Sequence, residues 1–384
     1  MNIRRDIRMK DPIIIPIQSG GKLLGQGYYG CVFDPPLTCR GEKNPKAAKK
    51  GQLGKLTEVD DVEAELMAAK FFKDKPEAKK YFILADLKTL CKPSDSGEPA
   101  IDLSKQTEND LDKCEALKRE GIDDMVHYQM EYGGKSLHER FHVVQASFPF
   151  YKFMGHILEV GAYLALNGII HNDLHSGNIV VNKDSHPRLI DFGRAYNSKN
   201  INTTLIEKLA ADYYPDLGQI TPECSTLDGL SQNVQFPRII QDLIQKKPGL
   251  LYAERLFGQG RQEQMAEFQQ FWKTSKSLQK NDVISFWKLY WPVVDAWSIG
   301  HCLAGTIYKL KHSTHFMDSE EWKKKFGVVK AIITGLLKAS PRARLDSVEA
   351  LALYDPMNSL VLSASGKAWL KHKQSQREKL SAGV

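Results

Sequence analysis

A chain of 384 residues carries 53 Lys and Arg against 46 Asp and Glu, a net charge of +7, with 42% hydrophobic and 26% charged residues. At roughly 150 residues per domain this predicts two to three domains and enough chain to bury a core. With 28 Gly and 17 Pro, collagen, bulk disorder and coiled coil are excluded. No run reaches the roughly 18 consecutive apolar residues of a spanning helix: residues 160–170 are interrupted by Tyr163 and Asn167, and residues 297–307 by Ser298 and His301.

The N-terminal stretch 1–10 is basic, and the apolar run after it, 13–15, is broken by Pro12 and Pro16, too short for a signal peptide; the expectation is an intracellular protein. Cys31, Cys39, Cys91, Cys114, Cys224 and Cys302 show no CxxC spacing, which predicts six reduced thiols and neither a zinc knuckle nor a disulfide framework. Five Lys or Arg and one Glu in residues 365–384 read as a solvated basic tail. No nucleic-acid-binding signature accompanies them.

In chain order, residues 19–33 are Gly-rich and then strand-like. Val62, Leu66 and Ala69 give 58–72 helical spacing, and 81–87 and 125–132 read as strands. Gly133-Gly134 marks a hinge. Beyond it Phe153, Ile157, Val160 and Leu164 define an amphipathic helix over 148–167, stopped by Asn167-Gly168. The second half is mainly helical, with an inserted helical subdomain at about 225–290 whose pieces include 239–246 and 263–272. The fold class is α+β, a small β-rich first part and a larger helical second part.

Gly25-Gln26-Gly27-Tyr28-Tyr29-Gly30-Cys31-Val32 is a GxGxxGxV pattern. Glycines here either let backbone N–H groups approach phosphates or simply make a tight turn. The following residues continue as a strand instead of a helix, which argues against a dinucleotide fold and for a flap over ATP. Further on, His171-Asn172-Asp173-Leu174-His175-Ser176-Gly177-Asn178 forms a loop after the apolar helix, followed by a hairpin (179–181, turn 183–187, 188–190) and Asp191-Phe192-Gly193. The hairpin returns Asp191 to Asn178, so that two oxygen ligands can hold Mg²⁺ on ATP while Asp173 faces an acceptor hydroxyl.

These pieces, in this order, resemble the protein kinase superfamily along most of the chain. The resemblance implies a two-lobe fold: an N-lobe over 1–132, a C-lobe over 133–364 and a C-terminal tail over 365–384. Thr221-Pro222-Glu223 resembles the end of an activation segment, departing from the usual Ala-Pro-Glu. Asp295-Ala296-Trp297-Ser298-Ile299-Gly300 resembles the start of the large lobe's central helix, whose Asp supports the catalytic loop. Ser340-Pro341-Arg342-Ala343-Arg344-Leu345 implies an ion pair between Arg344 and Glu223. Met130-Glu131-Tyr132-Gly133-Gly134 resembles the inter-lobe linker, with Met130, Glu131 and Gly133 at the adenine base; a plain strand and turn is the alternative. The phosphate lysine is Lys55, with Lys49 as competitor, and its partner is Glu65 ahead of Glu63.

Two departures matter. Asn172 stands where many regulated kinases have Arg, so loop phosphorylation is not expected to be the main switch. His175 replaces the usual Lys, an order also seen in small-molecule kinases. Gly30-Cys31-Val32-Phe33, Pro35-Pro36-Leu37, Cys39 and the His-containing loop are similar to the serine/threonine kinases of large cytoplasmic DNA viruses, which implies host cytoplasm or virion. The resemblance implies an ATP- and Mg²⁺-dependent kinase acting on Ser/Thr of protein substrates, with catalytic Asp173, Lys55, Asn178 and His175. Gly25, Gln26, Gly27, Tyr28, Gly30, Val32, Lys55 and Glu65 would serve the nucleotide, and Asn178 and Asp191 the metal. The alternatives are a small-molecule phosphotransferase and a nucleotide-binding pseudokinase scaffold.

Overall fold

The computed structural model describes residues 21–27, 30–40, 51–91, 101–102, 108–141 and 148–381. Two compact units emerge, Met1–Val62 with Asp86–Tyr132, and Glu63–Ala85 with Gly133–Val384. One boundary falls inside helix Val59–Phe72 and another between Tyr132 and Gly133.

Unit 1 is built on five antiparallel strands, β1 (Lys22–Gln26), β2 (Gly30–Asp34), β3 (Gln52–Glu58), β4 (Asp86–Cys91) and β5 (Met125–Glu131), in the order β1-β2-β3-β5-β4. Residues opposite one another in such a ladder share a face. Cys31 opposes Leu56, Leu56 opposes His127, and His127 opposes Cys91, so all four stand on one face. That face carries a core of Phe33, Leu37, Ile101, Leu111, Cys114 and Met125. Gly54 is on the same face because a Cβ there would run into the His127 ring and Pro36. The other face carries Gly25, Val32, Lys55, Leu53, Tyr128 and Met130.

The cysteine expectation is corrected here. Cys31 is bonded to Cys114 and Cys39 to Cys91, while Cys224 and Cys302 are free. The partners lie 83 and 52 residues apart, and strand register brings them together, which no local spacing could reveal. The strand expected over 81–87 is also displaced. Tyr81 ends helix Ala78–Tyr81, Phe82, Ile83 and Ala85 are buried within unit 2, with the Ile83 N–H donating to the Leu189 carbonyl at 2.9 Å, and β4 begins only at Asp86.

Unit 2 contains the sheet β6 (Lys135–Ser136), β8 (Ile179–Val181), β9 (Pro187–Leu189) and the pair β7 (Ile169–Ile170) with β10 (Tyr196–Asn197). Helix Phe150–Leu166 buries Phe153, Ile157, Val160 and Leu164, the stripe read from the sequence. Each such side chain contributes roughly 1.5–3 kcal/mol on leaving water. Helix Val294–Leu310 is buried nearly all round, with Trp297 fully enclosed. Helices Phe236–Lys246, Pro248–Phe257, Arg261–Thr274 and Val283–Tyr290 deliver Ile239, Leu243, Leu250, Phe268 and Phe286 to the same core as Trp297. The inserted region is therefore part of the interior of unit 2 and no separate appendage. The basic tail is likewise ordered: helix Ala364–Ser381 is tied down by Trp369 Nε1 donating to Asp346 at 2.9 Å, by Lys373 pairing with Asp346 and by Arg377 pairing with Glu349. Among the described residues no helix is long and apolar enough to cross a membrane.

Candidate active site

The loop 171–178 is held from below by one carboxylate. Asp295, in the first turn of Val294–Leu310, accepts the backbone N–H of His171 at 2.7 Å and of Asn172 at 2.9 Å. Asn172 adopts φ +61, a left-handed conformation that Asn tolerates better than most residues. His171 is fully buried. Its Nε2 lies 3.0 Å from the Ile190 carbonyl, and its Nδ1 accepts the Asp173 N–H at 3.4 Å, so the tautomer protonated on Nε2 serves both contacts. The ring also packs on Phe192 at 4.7 Å, and Phe192 meets Phe82 edge-on at 5.3 Å.

Asn178 is 7% exposed, and its Nδ2 donates to the Asp173 carbonyl at 2.9 Å and faces Oδ2 of the same residue at 3.4 Å. The hairpin does what the sequence predicts. Ile179 pairs with Leu189, the Ile190 N–H donates to the Asn178 carbonyl at 3.0 Å, and Asp191 follows at once with φ +65. His175 lies with Nε2 3.8 Å from Asp173 Oδ2 while its Nδ1 accepts the Gly177 N–H at 3.0 Å. A Cβ on Gly177 would strike that ring. Burial pushes the His175 imidazole below its ordinary value, against the upward pull of the Asp173 carboxylate.

Residues 217–225 form a ledge against this loop. Gln219 Nε2 is 3.5 Å from Asp173 Oδ1. The ledge is fixed by Trp297 Nε1 donating to the Gly218 carbonyl at 2.9 Å and Ser298 Oγ donating to the Gln219 carbonyl at 2.8 Å. Thr221 caps helix Pro222–Ser231. The pair expected between Arg344 and Glu223 is present: two hydrogen bonds of 2.8 Å join them, and both residues are buried. The remaining guanidinium N–H groups reach the carbonyls of Lys338, Val293 and Ala339, so all five donors are used.

Sequence reasoning missed Lys247. This fully buried side chain donates to the carbonyls of Leu217 and Ile220 at 3.1 Å and to Ser225 Oγ at 3.0 Å, tying the ledge to the inserted helices. Burial pushes its ammonium down to about 7. The only signal in the sequence was a lysine directly before Pro248, the first residue of an apolar helix.

The remaining expected residues lie in unit 1 or at its border. Lys55 is central on β3, opposite Val32 and Tyr128. Gly25 and Gly27 have no positive φ, and a Cβ on either would meet nothing within 4 Å, so neither backbone strain nor packing calls for them. Gly30 is different, since a Cβ there would strike the Leu56 carbonyl. Gln26 Oε1 accepts the Glu115 N–H at 3.1 Å, and Glu131 ends β5 opposite Gln52. Gly133 is required by packing on Ile83 and Val180. In unit 2, Glu65 is buried whereas the Glu63 side chain is 79% exposed. Tyr28 and Lys49 fall outside the described residues.

No family model matches the chain. Over 56 residues it is 39% identical to a protein of Oryza sativa subsp. japonica named as a protein kinase and PP2C-like domain-containing protein, a stretch covering 15% of this chain and 8% of that relative. The chain thus spans a small part of the relative's length, and the likeness supports a kinase-like relation over that stretch.

Proposed function

We propose that the protein is an ATP- and Mg²⁺-dependent kinase that transfers the γ-phosphoryl group to Ser or Thr hydroxyls of protein substrates. The observation that carries this reading is the joint placement of Asp173, Asn178 and Asp191 by the Asp295 carboxylate and the β8–β9 hairpin. Hard oxygen donors of this kind suit Mg²⁺. The Asn178 amide nitrogen is committed to Asp173, which leaves its oxygen as the group that can face a cation alongside the Asp191 carboxylate. When bound, Mg²⁺-ATP supplies the phosphoryl donor with its charge partly neutralised.

The chain's own residues do the positioning. Asp173 Oδ1 or Oδ2 accepts the hydroxyl proton of the acceptor and orients its oxygen. His175 Nε2 stands beside that carboxylate as a neutral donor. The anchored ledge 217–221 against Asp173 favours an extended polypeptide acceptor over a small molecule, since it is a fixed rail beside the base. On unit 1 we assign the nucleotide to the face bearing Gly25, Val32, Lys55 and Met130. Gly25 and Gly27, which neither packing nor φ demands, support a backbone that something else approaches closely.

Transfer of labelled γ-phosphate to casein, basic protein and the chain itself tests the reading. Wild type should label Ser and Thr, and Asp173→Ala should lower that rate by at least about a hundredfold while the thermal melt is unchanged. Label on small aminoalcohols alone would replace the protein acceptor with a small-molecule one. ATP binding with no transfer would leave a scaffold.

A further inference from the structure

We propose that in the reduced chain Cys39, Cys91 and His127 hold a soft divalent cation, zinc above all, and that the Cys39–Cys91 disulfide is the oxidised, metal-free form of the same site. The two sulfurs and the His127 Nδ1 lie within 4.8 Å of one another. Cys91 Sγ is 3.7 Å from Nδ1. Ligands of a tetrahedral zinc at ordinary bond lengths stand about 3.6 Å apart for sulfur and nitrogen and about 3.8 Å apart for two sulfurs. The Cys91–His127 spacing already meets this, and the sulfurs need only separate once their bond is reduced.

The imidazole has no other visible purpose. His127 is fully buried, among the described residues its Nε2 has no hydrogen-bond partner, and a polar ring in an apolar interior costs free energy unless something offsets it. The missing Cβ of Gly54 makes the room the ring occupies. Three separate stretches supply the donors: the segment after β2, where Cys39 bridges to Ile101, the end of β4 and β5. Two cysteines and one histidine form a donor set that selects zinc over magnesium or calcium. Cys39 is half-buried, which leaves the fourth position to water on its side and lets a small thiol or disulfide reach the sulfur. The Cys31–Cys114 pair offers the contrast, because both residues are fully buried and neither belongs to the metal-ligating group.

The exchange balances with glutathione disulfide as oxidant. The zinc-bound bis-thiolate and one glutathione disulfide take up two protons and yield the Cys39–Cys91 disulfide, two glutathione thiols and free Zn²⁺. Two electrons pass from the protein sulfurs to glutathione. In a reducing compartment the thiol form, and with it the metal, is the populated state.

The full chain, reduced with a phosphine and freed of metal, is titrated with Co²⁺ and then Zn²⁺. The expected result is one cobalt per chain, with thiolate-to-cobalt charge-transfer bands in the near ultraviolet and the intense visible bands of tetrahedral cobalt, both erased by zinc. The bands should persist in Cys31→Ala/Cys114→Ala, vanish in Cys39→Ser/Cys91→Ser and after glutathione disulfide, and weaken by more than about tenfold in affinity in His127→Ala. Absence of the bands in reduced wild type would overturn the proposal without recourse to any variant. So would bands of equal strength in the Cys39→Ser/Cys91→Ser chain or in the oxidised one.

Discussion

At the scale of single residues, enclosure sets the chemistry more than neighbours in sequence do. Asp228 accepts the Ala211 N–H at 3.3 Å, and burial pushes its carboxyl up to about 6 from an ordinary 3.8, against the pull of that hydrogen bond and of Arg194. Between these two values the folded chain binds more protons than the unfolded one, so stability falls as pH rises through that window. Asp228→Asn keeps the acceptor without the charge. It should melt higher than wild type above about pH 6, and the gain should disappear below about pH 4. A gain that did not change with pH would assign the effect to packing instead. His175 obeys the same logic, since the sequence shows a histidine near Asp173 but only the fold, by partly enclosing the ring, favours its neutral form.

At the scale of elements, short polar ties between distant segments fix the loop 171–178 and its ledge. Helix Val294–Leu310 serves both at once, through Asp295 below residues 171–172 and through Trp297 and Ser298 under residues 218–219. The ledge's far end is pinned by Arg344, fully buried and bidentate on Glu223. Removing one partner of such a pair leaves an unpaired charge in the interior. Arg344→Ala should therefore lower the stability of unit 2 by about 3–5 kcal/mol in urea unfolding followed by tryptophan fluorescence. Arg344→Lys should recover only part of the loss, because an ammonium cannot reproduce the planar fork that also satisfies Lys338, Val293 and Ala339. Full recovery by lysine would show that charge alone matters there.

At the scale of the whole molecule, the chain solves the problem of a stable interior in two different ways. Unit 2 has a large apolar core that gathers Phe153, Ile157, Trp297 and Ile332 together with the inserted helices. Unit 1 has a far smaller cluster on one sheet face and two disulfides across it. Cys31–Cys114 closes a separation of 83 residues, for which chain entropy predicts about 4–5 kcal/mol. Cys31→Ala/Cys114→Ala should speed amide hydrogen exchange in β2, β3 and β5 and leave helix Val294–Leu310 unchanged. Equal acceleration in both units would mean that they unfold as one body.

The sequence alone determined what depends on local pattern. The stripe of Phe153, Ile157, Val160 and Leu164 marks a helix because its spacing follows the helical turn. The turn at 183–187 shows that Asp191 comes back beside Asn178, because a short hairpin allows little else. Even the Arg344–Glu223 pair was legible, though through resemblance and not through spacing. The tertiary structure decided what depends on strand register and packing. Cys31, His127 and Cys91 share a face only because β2, β3, β5 and β4 lie in that order and alignment, and a slip of one residue would turn them to the opposite side. Lys247 meets the ledge from an insertion whose local pattern says only that it is helical. Periodicity and turn chemistry act over a few residues and can be read in order along the chain. Disulfide pairing, the burial of an imidazole and the docking of an inserted helix are set by contacts between residues tens of positions apart, which the order of residues does not display.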